Sequence, residues 1–179
     1  KPLALGVLQV QAMLDAARKH LVRILGPNCL GLLAPHARLN ASFAHINAKP
    51  DGLAFVSQSG ALVTAMLDWA QGRGIGFSHF VSLGEHADVD FGDMLDYLAA
   101  DASCRSILLY MESVAHAPKF LSAARRAARS KVVGCFDDAA AEMPLPEAVD
   151  HHPGGERIRR VGDPGGEFHP AAAGVGRNL

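Results

Sequence analysis

Between residues 53 and 136, short apolar runs alternate with segments of helical period, and few folds accept that alternation. Residues 53–56, 77–81, 105–111 and 131–136 are the apolar runs. The first reads Leu-Ala-Phe-Val with no polar residue on either face, as expected of a strand covered on both sides. After it, Leu62, Met66 and Trp69 recur at helical spacing with Val63, Leu67 and Ala70 beside them, and Gly72-Arg73-Gly74 ends the pattern. Trp69 is expected in the core. Asp90 is an N-cap residue type, and Phe91, Met94, Leu95 and Leu98 follow it. Pro118 suits the first turn of a further helix, whose face is Phe120, Leu121, Ala124 and Ala128. The order β-α-β-α-β-α-β with short connections predicts an α/β fold: a parallel, doubly wound sheet with helices on both faces.

A flavodoxin-like strand order is the natural arrangement for such a sheet. Upstream, Val10, Met13, Leu14, Ala17 and Leu21 predict an amphipathic helix, and residues 22–25 a short strand that stops at Gly26-Pro27-Asn28-Cys29. Residues 30–50 hold Gly, Pro and several Asn and read as a linker with room for one short strand near Leu32-Leu33. Residues 1–50 are therefore read as the end of a preceding αβ domain plus a linker, and 51–136 as the main domain.

Downstream the composition changes. Residues 1–136 carry 13 Lys and Arg against 10 acids, whereas 137–179 carry four Arg and no Lys against eight. Half of the ten prolines and seven of the 18 glycines lie in that last segment, with only seven Leu, Ile, Val or Phe. So little apolar surface does not offset ordering entropy, and 137–179 is expected to be an irregular or disordered tail.

Several function classes are excluded by composition. A formal charge of −1 argues for neither nucleic acid nor an anionic membrane as partner. No apolar run approaches the roughly 18 residues of a membrane span. Lys1-Pro2 opens the chain without a signal-peptide pattern, so a cytoplasmic piece of something longer is expected. Cys29, Cys104 and Cys135 are odd in number and widely spaced, which gives neither a disulfide framework nor a zinc pattern. The nine histidines are scattered apart from His151-His152, so no metal site is expected. Gly72-x-Gly74-x-Gly76 follows a helix instead of a strand, which fails the context a dinucleotide loop needs.

Ligands of open parallel sheets bind at the carboxyl ends of the strands. Those ends carry Ser57-Gln58-Ser59-Gly60, the loop 82–88, and Glu112-Ser113. Small polar residues running into a helix start leave backbone N–H groups free, and the helix dipole adds about half a positive charge there. Ser57, Gln58, Ser59 and Gly60 thus form either a phosphate cradle or a plain serine cap. Glu112 ends an apolar strand, where it could orient an imidazole or simply be solvated. Glu85, Asp88 and Asp90 are of the type that meets Mg2+, although loop and cap roles are favoured. Cys29 is a reactive thiol near a ligand or a structural cysteine. Asn28 hydrogen-bonds a ligand or holds its turn.

Taken together, Arg23-Ile24-Leu25-Gly26-Pro27-Asn28-Cys29-Leu30-Gly31, Ser57-Gln58-Ser59-Gly60-Ala61-Leu62, Val81-Ser82-Leu83-Gly84 with Asp88, and Leu108-Leu109-Tyr110-Met111-Glu112 resemble the NDP-forming acyl-CoA synthetase superfamily, which includes the succinyl-CoA synthetase α subunit. Leu39-Asn40-Ala41-Ser42-Phe43-Ala44, Leu67-Asp68-Trp69-Ala70 and the run 119–125 look like its bacterial acetate–CoA ligase-like members fused to a GNAT domain, the protein lysine acetyltransferases. The resemblance covers about residues 8–133. It implies that residues 1–50 include the end of a CoA-binding Rossmann-like domain, with Asn28 and Cys29 near the thioester. It implies that Ser57, Ser59 and Gly60 hold a phosphate on a phosphohistidine loop and that Glu112 orients that histidine. CoA or acetyl-CoA and ADP or ATP with Mg2+ would be bound by the longer parent, with no cofactor expected on the isolated chain.

Two departures bear on activity. The glycine-rich CoA loop is absent, and no Ser-His-Thr-Gly or Gly-His-Ala-Gly occurs after residue 133. His151 and His152 stand at a plausible distance in different surroundings. This loss of pattern predicts a shifted or truncated reading frame after about residue 136 and a chain that is inactive alone. Two other readings stay open: a non-catalytic module sensing CoA or nucleotide, and an unrelated flavodoxin-like binder of FMN or of a protein. A homo-oligomer is also left open.

Overall fold

The structure is a computed structural model that describes residues 6–136. The main chain forms α1 (Val7–Arg18), β1 (Gly31–Ala34), a 3-10 turn (Pro35–Ala37), β2 (Leu39–Ser42), β3 (Pro50–Ser57), α2 (Gly60–Gly72), β4 (Phe77–Ser82), α3 (Phe91–Ala100), β5 (Ser106–Tyr110), α4 (Ala117–Ala127) and β6 (Val132–Phe136). One six-stranded sheet has the order β2-β1-β4-β3-β5-β6. Strands β4, β3, β5 and β6 are parallel and in the expected flavodoxin-like order.

The other two strands depart from the expectation. β1 runs antiparallel to both β4 and β2, so the stretch read as a linker extends the sheet by a hairpin. The strand expected at residues 22–25 does not form. Its backbone is held instead by the loop before α3: Ile24 N–H donates to Asp88 Oδ2 at 2.7 Å, and Val89 N–H donates to Ile24 C=O at 3.2 Å. An apolar run whose polar groups find a loop has no need of a ladder. The tail expected at 137–179 lies outside the described residues.

β3 shows why its sequence lacks alternation. Ala54 and Val56 face one layer and Phe55 the other, and all three are fully buried. On one side, Ala54, Val56, Ile107, Leu109 and Val133 meet Phe91, Leu95 and Leu98 of α3 and Phe120, Ala123, Ala124 and Ala127 of α4. On the other, Phe55, Phe80, Leu33 and Tyr110 meet Val63, Leu67 and Ala70 of α2. Helices therefore cover both faces. The α4 stripe is shifted from the expected one: Leu121 is exposed, and Ala123 and Ala127 take the inward positions. Trp69 is half-buried, with the Arg73 guanidinium 4.4 Å above its ring. Among the described residues, α1 buries only Leu14.

Candidate functional site at the strand ends

β3 runs into α2 through a tight polar turn. Ser57 is fully buried, and its hydroxyl donates to Ser59 C=O at 2.9 Å while accepting from Ser59 N–H at 3.1 Å. Ser59 is the N-cap, its Oγ accepting from Leu62 N–H at 3.3 Å. Val63 N–H donates to Ser59 C=O. The N–H groups of Gly60 and Ala61 are left without a partner among the described residues, at the positive end of a 13-residue helix.

The side chain of Gln58 turns away from that helix. Its Oε1 accepts from the N–H groups of both Glu112 and Ser113, and its Nε2 donates to Ser113 Oγ, all at 3.1 Å. The end of β5 is thereby tied to the start of α2. Glu112 is exposed, and its carboxylate has no hydrogen-bond or ion-pair partner among the described residues.

The 26–30 turn closes the same end of the sheet. The Gly26–Pro27 peptide is cis, and Gly26 and Asn28 have φ of 102° and 55°. Leu30 N–H donates to Ser82 Oγ at 3.0 Å, Glu85 N–H to Pro27 C=O at 2.9 Å, and Ala87 N–H to Gly26 C=O at 3.0 Å. A Cβ on Gly60 would meet Ser82 Oγ and Leu30 at ordinary contact distance, so this turn lies beside the α2 mouth. Asn28 is exposed, with its side-chain amide unpartnered among the described residues. Cys29 is half-buried, its Sγ 3.6 Å from Leu25 C=O. The structure thus gathers Asn28, Cys29, Ser59, Gly60 and Glu112 at one end of the sheet, although the sequence pattern sets Asn28 and Cys29 after a strand of a preceding domain that does not form. Ser57 and Gln58 are there too, but their side chains hold protein groups.

Of the acids that follow, Glu85 is exposed with no side-chain partner among the described residues, whereas Asp88 and Asp90 are engaged. Arg23 Nε lies 3.1 Å from both Asp88 carboxylate oxygens. Asp90 caps α3 and receives Asp93 N–H at 2.9 Å. Lys119 Nζ lies 2.9 Å from Asp90 and 2.7 Å from Asp93. Burial works to raise the Asp88 pKa, but the Arg23 contact and the Ile24 N–H outweigh it and hold the carboxyl below its usual range. These are cap and ion-pair roles, as favoured for Asp88 and Asp90.

A second polar cluster was not anticipated from the sequence. Across the sheet from α2, a cavity of about 410 Å3 opens between α3 and the β1–β4 edge. His79 of β4 lines it, 7% exposed, with Nε2 3.5 Å from Asp101 and 3.4 Å from Tyr97 Oη. Its Nδ1 has no partner among the described residues. Ser78-His79 inside an apolar strand was the available signal, because polar residues there must be buried. Burial pushes the imidazole pKa down, against the attraction of Asp101 and together with repulsion from His36. The unfolded chain therefore takes up this proton first. Stability from the neutral ring is complete above the ordinary value of 6.5 and is lost as pH falls toward the lower folded value. Urea unfolding should show a decline between pH 7 and 5 that is smaller in His79→Gln. Identical declines in the two proteins would count against this assignment.

Residues 50–138 match the succinyl-CoA ligase-like flavodoxin domain family. The chain is 42% identical over 128 residues to an ADP-forming acetate–CoA ligase I of Archaeoglobus fulgidus, covering 72% of this chain and 19% of that protein. The chain belongs to the ADP-forming acyl-CoA synthetase family. A Pyrococcus furiosus ADP-forming acetate–CoA ligase II α subunit is 36% identical over 82% of this chain and 32% of its own length. Among solved structures, a dinucleotide-forming acetyl-coenzyme A synthetase from Candidatus Korarchaeum cryptofilum, in complex with phosphate and ADP, superposes with a TM-score of 0.69 at 33% identity. That match covers 73% of this chain and 29% of the other. The chain thus spans between about a fifth and a third of the family members it matches. These matches decide against an unrelated flavodoxin-like binder.

Among the described residues, no helix is long and apolar enough to cross a membrane, and no group of three His, Cys, Asp or Glu could hold a metal ion.

Proposed function

We propose that this chain supplies the flavodoxin-like ligase domain of a cytoplasmic acyl-CoA synthetase, and that the mouth of α2 holds a phosphoryl group. The observation that carries this reading is a pair of amides, Gly60 and Ala61, and an exposed carboxylate, Glu112, all without partners among the described residues and at the same end of the sheet. The amides and helix dipole favour a phosphate oxygen. Glu112 would accept the N–H of an imidazole brought to that phosphate and hold its ring in one orientation. Ser59 keeps the amides in place as the cap. Asn28 and Cys29, on the adjoining turn, would meet the thioester end of CoA.

Within residues 1–50, the part before β1 would be the end of a CoA-binding domain, while the β1–β2 hairpin joins 51–136 in the sheet of the ligase domain. The acyl group, CoA or acetyl-CoA, and ADP or ATP with Mg2+ belong to the longer parent. Of the acids that could meet Mg2+ here, Asp88 and Asp90 are taken by Arg23, by the α3 cap and by Lys119, which leaves Glu85 alone. The resemblance of 39–44 and 119–125 to GNAT-fused members leaves two parents open within this family, an acyl-CoA ligase and a protein lysine acetyltransferase. In either parent the isolated chain is inactive, because the histidine and the CoA loop are not in it.

Adding inorganic phosphate to 15N-labelled chain should move the Gly60 and Ala61 amide resonances saturably, with the 108–110 amides still. Chloride at matched ionic strength should not do so. If phosphate leaves Gly60 and Ala61 where they were, the cradle reading is wrong.

A further inference from the structure

Gln58 follows β3, and its side chain crosses to the turn after β5. One carbonyl oxygen receives two successive backbone N–H groups, those of Glu112 and Ser113, at 3.1 Å each. The amide nitrogen donates to Ser113 Oγ at 3.1 Å. The opposite amide orientation would set NH2 against two N–H donors, so the donors themselves fix this one. The main chain adds two ties: Gln58 N–H donates to Tyr110 C=O at 3.1 Å, and Met111 N–H to Phe136 C=O at 3.2 Å. Every backbone N–H from Met111 to Ser113 is therefore engaged.

Successive N–H groups converging on one point commonly bind an anion. Here a neutral carbonyl oxygen fills that point, so the Glu112–Ser113 amides are closed to phosphate. What the arrangement leaves free is the Glu112 carboxylate. Only Ser59 separates Gln58 from Gly60, the first residue of α2. The carboxamide is therefore a short, rigid link between the two parts of the site.

We infer that Gln58 is a positioning residue: it fixes the Glu112 carboxylate relative to the first turn of α2. The inference rests on the proposal that Glu112 acts on a group held at that turn. Gln58 itself touches no phosphate.

Two variants and two measurements test this on the whole chain. Gln58→Leu removes all three side-chain bonds. Gln58→Glu keeps an oxygen facing both N–H groups. In Gln58→Leu, hydrogen exchange of the Glu112 and Ser113 amides should quicken about tenfold or more, while the Leu108 and Leu109 amides keep their rates. In Gln58→Glu, most of that protection should return at neutral pH. The second measurement is the carboxyl 13C resonance of Glu112 at fixed neutral pH, with and without inorganic phosphate. An anion at the α2 mouth should move that resonance through its field at the carboxylate. Gln58→Leu should lose at least half of that movement, while the Gly60 and Ala61 resonances saturate at the same phosphate concentration.

Unchanged exchange at Glu112 and Ser113 in Gln58→Leu overturns the inference. So does loss of the Gly60 and Ala61 response in that variant, because Gln58 would then be a phosphate ligand. The underlying proposal fails separately, when the unsubstituted chain shows no response at Gly60 and Ala61. The exchange rates and their recovery in Gln58→Glu then still decide whether Gln58 holds Glu112 in place.

Discussion

Replacing Phe55 by alanine is expected to lower the free energy of unfolding by about 3–5 kcal/mol, with the midpoint of thermal unfolding on the order of 15 °C lower. Phe55 is fully buried in β3, which pairs with β4 on one side and β5 on the other. Its ring centroid lies 5.1 Å from that of Phe80 and 6.4 Å from that of Phe136. Val63 and Leu67 of α2 belong to the same packed layer. Backbone ladders on both sides prevent β3 from moving into the space left by the ring, so the cavity remains. Total stabilities are about 5–15 kcal/mol, so this single change removes a large share. Phe55→Leu refills most of the volume and should cost about 1.5 kcal/mol. Urea unfolding of the two variants measures both values. A loss below about 1 kcal/mol for the alanine variant would mean that the ring is not packed between α2 and the sheet as described.

The second large effect is expected at Gly84, and it reaches the site. Gly84 has φ of 57°, a left-handed conformation that costs a side-chain-bearing residue about 1–2 kcal/mol. A Cβ there would also run into the carbonyl oxygens of Pro27 and Asn28. These are backbone atoms, so no flexible side chain can swing aside. Gly84→Ala is therefore expected to destabilise by about 2 kcal/mol or more, with the 26–30 turn pushed off the 82–88 loop. Exchange of the Glu85 and Ala87 amides, which bond to Pro27 and Gly26, should quicken more than exchange within β4. Gly72→Ala is the control. A Cβ there meets nothing within 4 Å at the end of α2, so alanine should be neutral or stabilise by up to about 1 kcal/mol. Similar stabilities for Gly84→Ala and Gly72→Ala would show that the turn and the loop are not in contact.

Much of the fold was legible because the two periods are so distinct. Strands β3 to β6 and helices α2 to α4 all lie where apolar runs and helical stripes place them. The hairpin of β1 and β2 was only half legible. Leu32-Leu33 marked β1, but Leu39-Asn40-Ala41-Ser42 puts only Leu39 and Ala41 on one face, and both are exposed in the structure. Such an edge strand forms because β1 offers it a ladder, and no local pattern announces that. Residues 22–25 failed in the opposite sense. Val-Arg-Ile-Leu reads as a strand, yet Asp88, 64 residues from Ile24, claims the Ile24 N–H. On α4, Leu121 has the size and apolarity of a core residue, yet small Ala123 and Ala127 make the contact with the layer that α3 and the sheet share.

By itself the sequence determined the strand–helix alternation, the polar turn before α2 and the acid after β5, because periodicity and turn chemistry are local properties of the chain. The tertiary structure decided which of those polar groups are free. It used Ser57 and Gln58 to hold the protein together, left Gly60, Ala61 and Glu112 open, and buried His79 beside Asp101. Each of those outcomes depends on a partner distant in the chain or on the closing of a turn, and hydrogen-bond partners are assigned only when the strands have packed.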